Sequence, residues 1–300
     1  MEKILEINDK IIELFDTHTP FSVVRIGNTE GYFLQEYLHG RTLPNEWYKW
    51  MFIIAGIFPN TDEYLRTVWS EKVLSTLKNS DVSMFVDISG EIERDHSMDS
   101  FYIEHPHCYQ DDCCVLDAGF LVGKDIHRVH CEVPWTTKLQ GKKVLVISPF
   151  EKTIKTQWSK KELVWGDAVD KMNGFELVDV IKAPFHPMVD DTNLNGKKSW
   201  YEVAEMYMNK MDQYDYDVVL IGAGAYAPVL ADHAKKSGKI GITICGALQL
   251  LFGIMGPRWV DYPCYFPWKK MFNEHWIYPL NDDKPKNNHL MTSIENSYWR

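Results

Sequence analysis

The chain has 300 residues, 45% hydrophobic and 25% charged, which is typical of a folded, enzyme-sized protein. This composition argues against a disordered, collagen-like or coiled-coil chain. The 42 acidic and 32 basic residues give a net charge of -10. Because no polybasic segment offsets this charge, we do not expect the protein to bind nucleic acid.

The sequence predicts a cytoplasmic protein. No apolar run reaches the ~20 residues of a membrane-spanning helix, although peripheral membrane contact stays open. Residues 1–15 alternate acids with aliphatics and do not resemble a signal peptide. The six cysteines lack the spacing of a secreted disulfide framework, so we expect reduced thiols.

Hydrophobic periodicity predicts alternating helices and strands along most of the chain. In the first half these are helices over 4–15, 30–38, 46–57 and 62–78 and strands over 21–26 and 81–88. Residues 90–137 show only a weak pattern, with one strand and one helix at most.

The second half has a sharper pattern. It predicts strands over 142–150 and 176–184, helices over 160–173 and 199–214, and then strand, glycine turn, helix, strand and helix within 217–256. Strands that alternate with helices indicate an α/β protein with a mostly parallel sheet and helices on both faces. We expect one integrated domain over 1–300, with 1–137 and 138–300 as its lobes if it is bilobed.

The first candidate site is the segment VVRIGNTEG, residues 23–31. Arg25 lies near the end of the predicted strand, and Gly27, Asn28 and Glu30 belong to the turn into the next helix. Ligands of open parallel sheets bind beyond the carboxyl ends of the strands, so this turn is well placed for a site. The structural alternative is a Glu that complements the positive helix terminus and pairs with Arg25.

The second candidate is ISPFEKTIKTQW, residues 147–158, a strand-end loop that carries Ser148, Lys152 and Lys155. Hydroxyl and ammonium groups at such a loop suit a diphosphate. In a chain with net charge -10, a local cation is needed wherever a diphosphate binds. The structural alternative is a solvated helix start with ordinary lysines.

The third candidate comprises two glycine-containing loops. Gly222, Gly224 and Tyr226 follow one predicted strand, and Gly246 and Gln249 follow the next. The first loop lacks the full G-x-G-x-x-G dinucleotide fingerprint. If the two strands are adjacent, the loops form the floor of a nucleotide pocket; otherwise the glycines serve tight turns.

Two weaker candidates remain. A zinc site would draw on His105, His107, Cys108, Cys113, Cys114, His127, His130 and Cys131. These residues lack paired C-x-x-C spacing, and buried cysteines with surface histidines are the commoner arrangement. The aromatic segments 256–259, which includes Arg258, and 295–299 suit sugar stacking, or else pin a chain terminus onto the core.

Four of these segments together resemble the bacterial and viral proteins related to GT-D-type glycosyltransferases. They are VVRIGNTEG, VISPFEKTIKTQW, DVVLIGAGAYAPVLADHAKKSGKIGITICGALQLLFGIMGPRW and the closing HWIYPL with IENSYW. They are spread over most of the chain, although residues 90–137 contribute nothing. The resemblance implies a Rossmann-like sheet and transfer of a sugar from a nucleotide sugar to a glycan acceptor, typically in surface polysaccharide biosynthesis.

In that family a D-x-E motif follows the first strand and is associated with the metal and the donor. The matching positions here are Asn28, Thr29 and Glu30, so the Glu is kept and the Asp is not. The resemblance therefore implies Mn²⁺ or Mg²⁺ as cofactor with Glu30 as a ligand, but the amide of Asn28 predicts weaker metal binding.

The resemblance also implies roles for the other candidates. Glu30 is the expected base or metal ligand, and Arg25, Lys152 and Lys155 are expected to balance the charge of the leaving phosphate. The remaining nucleotide-sugar contacts are expected from Gly27, Asn28, Ser148, Gly222, Gly224, Tyr226, Gly246, Gln249 and Arg258. The alternatives are an S-adenosylmethionine-dependent methyltransferase and a non-catalytic glycan-binding protein.

Overall fold

A computed structural model describes residues 2–86, 108–111, 133–184, 194–261, 271–290 and 299. The strands within this part are β1 Ser22–Ile26, β2 Val82–Val86, β3 Cys108–Asp111, β4 Lys143–Ser148, β5 Glu176–Lys182, β6 Val218–Ile221 and β7 Ile240–Thr243. They form one seven-stranded sheet in the order β3-β2-β1-β7-β6-β4-β5. Every neighbouring pair is parallel, which confirms the predicted α/β class and its Rossmann-like character.

The α-helices of the described residues fall between and after these strands. They are α1 Glu2–Asp16, α2 Asn28–Leu38, α3 Asn45–Ile53, α4 Asp62–Tyr64, α5 Glu71–Asn79, α6 Glu151–Trp158, α7 Lys161–Trp165, α8 Val169–Asn173, α9 Trp200–Met211, α10 Ala227–Lys236, α11 Leu248–Leu251 and α12 Pro257–Asp261. None of them is long and apolar enough to cross a bilayer.

The sheet is covered on both faces. In β4, Val144 and Val146 contribute to one buried cluster, whereas Leu145 and Ile147 contribute to the other. Successive side chains of a strand point to opposite faces, so the two clusters are cores on opposite sides of the sheet. Strand β4 is buried along almost its whole length, as expected for a parallel strand between two layers of helices.

Each helical layer has an apolar stripe toward the sheet. In α1, Ile7, Ile11 and Phe15 recur every four residues and are buried in the first core. The second core is closed by residues of α2, α3, α5, α9 and α10. Helix α9 is capped by Ser199, whose hydroxyl accepts the Glu202 backbone N–H at 3.3 Å.

Both predicted lobes contribute to this sheet. Strands β1, β2 and β3 come from residues 1–137 and the other four from 138–300, and β1 pairs with β7 across that boundary. Ser22 lies opposite Gly241, and Val23 lies opposite Ile242. The sheet is therefore continuous from one half of the chain to the other.

Some predicted elements differ in detail. Residues 151–158 form helix α6 directly after β4 instead of a loop. The helix predicted over 160–173 is two short helices, since Gly166 at φ +51° ends the first of them. The helix predicted over 62–78 contains a π-helical stretch, Leu65–Ser70, in which Leu65, Trp69 and Ser70 are buried.

Within the described residues of the weakly patterned region, 108–111 and 133–137, there are one short strand and the start of a 3₁₀ turn. Strand β3 pairs with β2, and Trp135–Leu139 packs under the first core. Of the zinc candidates, only the backbone of Cys108 falls within the described residues.

Candidate functional site

The sequence-predicted site residues follow four strands that are neighbours in the sheet, in the order β1-β7-β6-β4. The two glycine-containing loops follow neighbouring strands, because β6 pairs with β7 from Val218 to Ile221. Parallel strands end at one edge, so all four loops lie along it. At about 4.8 Å per strand, the ends of β1 and β4 are roughly 14 Å apart.

This edge includes a topological switch point. The chain leaves β4 toward β5 on one side and leaves β6 toward β7 on the other, while β4 and β6 are themselves paired. Connecting segments diverge at such a point, and ligands of open α/β sheets bind there, outside the strand ends. The candidate loop after β4 and the glycine-containing loop after β6 border this point.

Arg25 and Glu30 lie at the end of β1. Arg25 is a strand residue and is only 8% exposed, and Glu30 is in the first turn of α2. The Glu30 side chain folds back over Gly27, where a Cβ atom would lie 2.8 Å from Glu30 Oε2. Asn28 is the first residue of α2.

The environment of the Glu30 carboxyl shifts its affinity for a proton. Burial raises its pKa above the ordinary value of 4.5, and two smaller effects act in the opposite direction. These are a hydrogen bond from its own backbone N–H and the positive charge of Arg25. A carboxyl whose pKa moves toward neutral pH is suited to accept a proton from a hydroxyl group.

The loop after β4 is occupied by contacts within the chain. Ser148 is buried, and its hydroxyl accepts the Phe150 N–H at 3.3 Å. The Lys152 ammonium lies 3.0 Å from Asp282, and the Lys155 ammonium lies 2.8 Å from Asp179. Both lysines therefore already have carboxylate partners, and their role toward a diphosphate stays a prediction.

A carboxylate of the chain lies where we predict a phosphate. Asp283 accepts the backbone N–H of Lys152 at 3.0 Å and that of Thr153 at 2.8 Å, and also the Thr153 hydroxyl at 2.6 Å. It therefore satisfies the first amides of α6, as an anion at a helix N-terminus does. No local pattern in the sequence reveals this contact, because Asp283 is 130 residues away from Thr153.

The two glycines after β6 have different surroundings. A Cβ atom on Gly222 would lie 2.8 Å from the Cys245 carbonyl oxygen, so Gly222 permits close contact between the β6 and β7 loops. Gly224 has φ +52° and open space around it. Tyr226 is buried, and its ring stacks on that of Trp200 at 5.7 Å, so it supports the second core.

These surroundings predict opposite outcomes for two alanine variants. Gly222→Ala should destabilise the protein by about 2–3 kcal/mol, because the backbone oxygen of Cys245 cannot move away easily. Gly224→Ala should cost only about 1 kcal/mol, since it meets no atom and only its positive φ is strained. Urea unfolding of both variants measures the difference. Equal stabilities would mean that Gly222 does not serve loop packing.

The remaining predicted contacts lie after β7. Gln249 is buried, and its amide nitrogen donates to the carbonyls of Ile254 and Met255 at 3.2 and 3.0 Å. Gly246 lies in the 3₁₀ turn Cys245–Ala247 and is partly exposed. The Arg258 guanidinium is 5.4 Å from the ring centre of Trp259.

The aromatic residues near the C-terminus belong to the first core. Trp259 is fully buried, and Trp299 packs against Phe150 with ring centres 4.8 Å apart. Their rings are therefore engaged within the protein, as the structural alternative to sugar stacking predicts.

A separate surface groove of about 750 Å³ lies between α2 and α5. Its lining residues are Tyr37, Leu38, Glu71, Leu74, Ser75, Lys78 and Asn79. Helix α5 ends just before β2 begins, so the groove opens toward the amino ends of the strands. It includes none of the sequence-predicted site residues.

Comparison of the chain with protein-family models, with curated proteins and with solved structures gives no match. No group of three side chains able to hold a metal ion occurs in the part of the chain that the structure describes. Glu30 is the predicted ligand within that part.

Proposed function

We propose that this protein transfers a sugar from a nucleotide-sugar donor to a hydroxyl group of a glycan acceptor. The observation that carries the proposal is the placement, at the carboxyl end of β1, of a largely buried Arg25 and of a Glu30 carboxyl whose pKa is raised by burial and lowered in part by the charge of Arg25. The glycine-containing loops after β6 and β7 support it, because they lie at the same edge of the sheet, where a ligand could contact their backbone.

Glu30 supplies the base in this proposal. It accepts the proton of the acceptor hydroxyl while that oxygen forms its bond to the anomeric carbon of the donor sugar. The bond from the anomeric carbon to the phosphate oxygen breaks, and its electron pair leaves with the nucleotide diphosphate. The proton on Glu30 then returns to solvent, so the enzyme is regenerated unchanged.

Arg25 supplies positive charge near the leaving group. Its guanidinium keeps its charge at all relevant pH values and is held by the strand, so it needs little rearrangement as negative charge develops on the diphosphate. Because the amides at the start of α6 already bind Asp283, Arg25 is a better supported phosphate partner than that helix start.

A thermal-shift panel tests the proposal against its two alternatives. Ligands that bind only the folded state raise Tm, so nucleotide sugars or nucleoside diphosphates should stabilise the protein and S-adenosylmethionine should not. A shift with S-adenosylmethionine alone would indicate a methyltransferase. A shift with glycans and with no nucleotide would indicate a non-catalytic glycan-binding protein.

The replacement of the family Asp by Asn28 predicts a weak dependence on divalent metal. Hard cations prefer carboxylate to amide oxygen, so transfer activity should survive treatment with EDTA. Initial rates before and after chelation, with Mn²⁺ or Mg²⁺ added back, measure this. Full loss and full recovery would instead mean that other carboxylates complete a metal site.

A further inference from the structure

Three aromatic side chains form a partly exposed surface between α2 and α3. The rings of Tyr32 and Trp47 are stacked with centres 4.0 Å apart, and Trp50 meets Trp47 edge to face at 4.6 Å. Trp50 is 41% exposed, the other two are half-buried, and we call the three the aromatic platform. Most other tryptophans of the described residues are buried in the two cores. A cluster of large aromatic rings that stays partly open to solvent is therefore a candidate binding surface.

Polar groups border the platform. Glu36 is one helical turn beyond Tyr32 on the same face of α2, and its carboxylate lies 3.5 Å from the Arg41 guanidinium. Glu36 is only 8% exposed. Burial and the charge of Glu36 raise the pKa of Tyr32 while Arg41 opposes this, which agrees with their closeness. The partly exposed rings therefore lie near an ion pair whose arginine is exposed and whose glutamate is buried.

We propose that the aromatic platform binds a pyranose ring of a glycan, with the exposed Arg41 guanidinium, held by Glu36, donating to its hydroxyl groups. A pyranose presents an apolar C–H face and a rim of hydroxyls, which match aromatic rings and a guanidinium donor. A lipid surface fits less well, because anionic headgroups would meet a protein of net charge -10.

The platform shares a helix with the proposed base. Tyr32 follows Glu30 by two residues, so both belong to the first half of α2 but face different sides of it. The identification of this glycan as the acceptor rests on the proposed function. The binding itself does not depend on it.

A printed array of bacterial and plant oligosaccharides, followed by calorimetry with the best binder, tests the platform without any donor. Trp50→Ala should weaken binding by about tenfold, and Trp50→Phe, which keeps a ring, should weaken it much less. Leu163→Ala is the matched control, since Leu163 is also an exposed apolar residue, on α7, and its replacement should have no effect. Glu36→Gln should also weaken binding.

Three outcomes would overturn the proposal. They are no binding of any array glycan by the wild type, equal binding by Trp50→Ala, and Trp50-dependent binding to phosphatidylglycerol vesicles in place of glycans. A nucleotide-sugar thermal shift on the same variants separates the two proposals. Glycan binding without a Tm shift by nucleotide sugars would contradict the proposed transfer reaction but not the glycan site. A Tm shift by nucleotide sugars without glycan binding would contradict the glycan site alone.

Discussion

Replacement of Glu30 by glutamine is expected to lower the rate of sugar transfer by roughly 10²–10⁴-fold, the usual effect of losing a general base. The change removes the carboxylate with almost no change in volume. The helix start keeps an acceptor oxygen for the Glu30 backbone N–H. Initial rates with saturating donor and acceptor measure the effect, and a wild-type rate would remove Glu30 from the catalytic role.

The same variant has an expected stability signature. The folded state holds the Glu30 proton to higher pH than the unfolded chain does, because its pKa is raised on folding. The carboxyl therefore lowers stability once the pH exceeds the ordinary value of 4.5 and has no effect well below it. At pH 7 the Tm of Glu30→Gln should thus be equal to or above that of the wild type. Well below pH 4.5 the two proteins should have the same Tm.

Activity should follow the same group. A base works only when it is deprotonated, so kcat/KM of the wild type should fall as the pH falls through the raised pKa of Glu30, with the midpoint above 4.5. Glu46→Gln is the matched control, because Glu46 is also in the first turn of a helix, α3, but is exposed. It should change neither the rate nor the pH profile.

The fold was largely predictable because its signals are local. Short apolar runs such as 142–150 and 217–221 are buried on both sides, and amphipathic segments such as 4–15 cover them. The errors occurred where tertiary contacts decide the local geometry. The π-helical stretch Leu65–Ser70 departs from the 3.6-residue period of an α-helix, and single-sequence periodicity does not predict it.

The site was predictable in position but less so in detail. Strand ends attract polar and glycine residues, so Arg25, Gly222 and Gly246 could be placed at one edge from sequence alone. The contact between Asp283 and the start of α6 could not, because it joins distant parts of the chain. The aromatic platform was also missed, since Tyr32 and Trp47 belong to helices whose packing the sequence does not specify.

Replacement of Asp283 by alanine is expected to destabilise the protein by about 3 kcal/mol and to lower Tm by about 5 °C or more. Its buried carboxylate accepts two backbone N–H groups and one hydroxyl at the start of α6. Alanine would leave these donors unsatisfied and remove the favourable charge at the helix terminus. Asp283→Asn keeps one acceptor oxygen and should fall between alanine and wild type.

The neighbouring aspartate gives a matched control for this prediction. Asp282 pairs with Lys152 at 3.0 Å, but the two side chains are 69% and 58% exposed. An exposed pair of this kind contributes about 0–1 kcal/mol, so Asp282→Ala should leave Tm nearly unchanged.

Urea unfolding of both alanine variants at low and high salt makes the comparison. The effect of Asp283→Ala should persist at high salt, because its bonds are buried and screened little. Equal stabilities would mean that Asp283 does not hold the start of α6, and would restore that helix terminus as a candidate for the donor diphosphate.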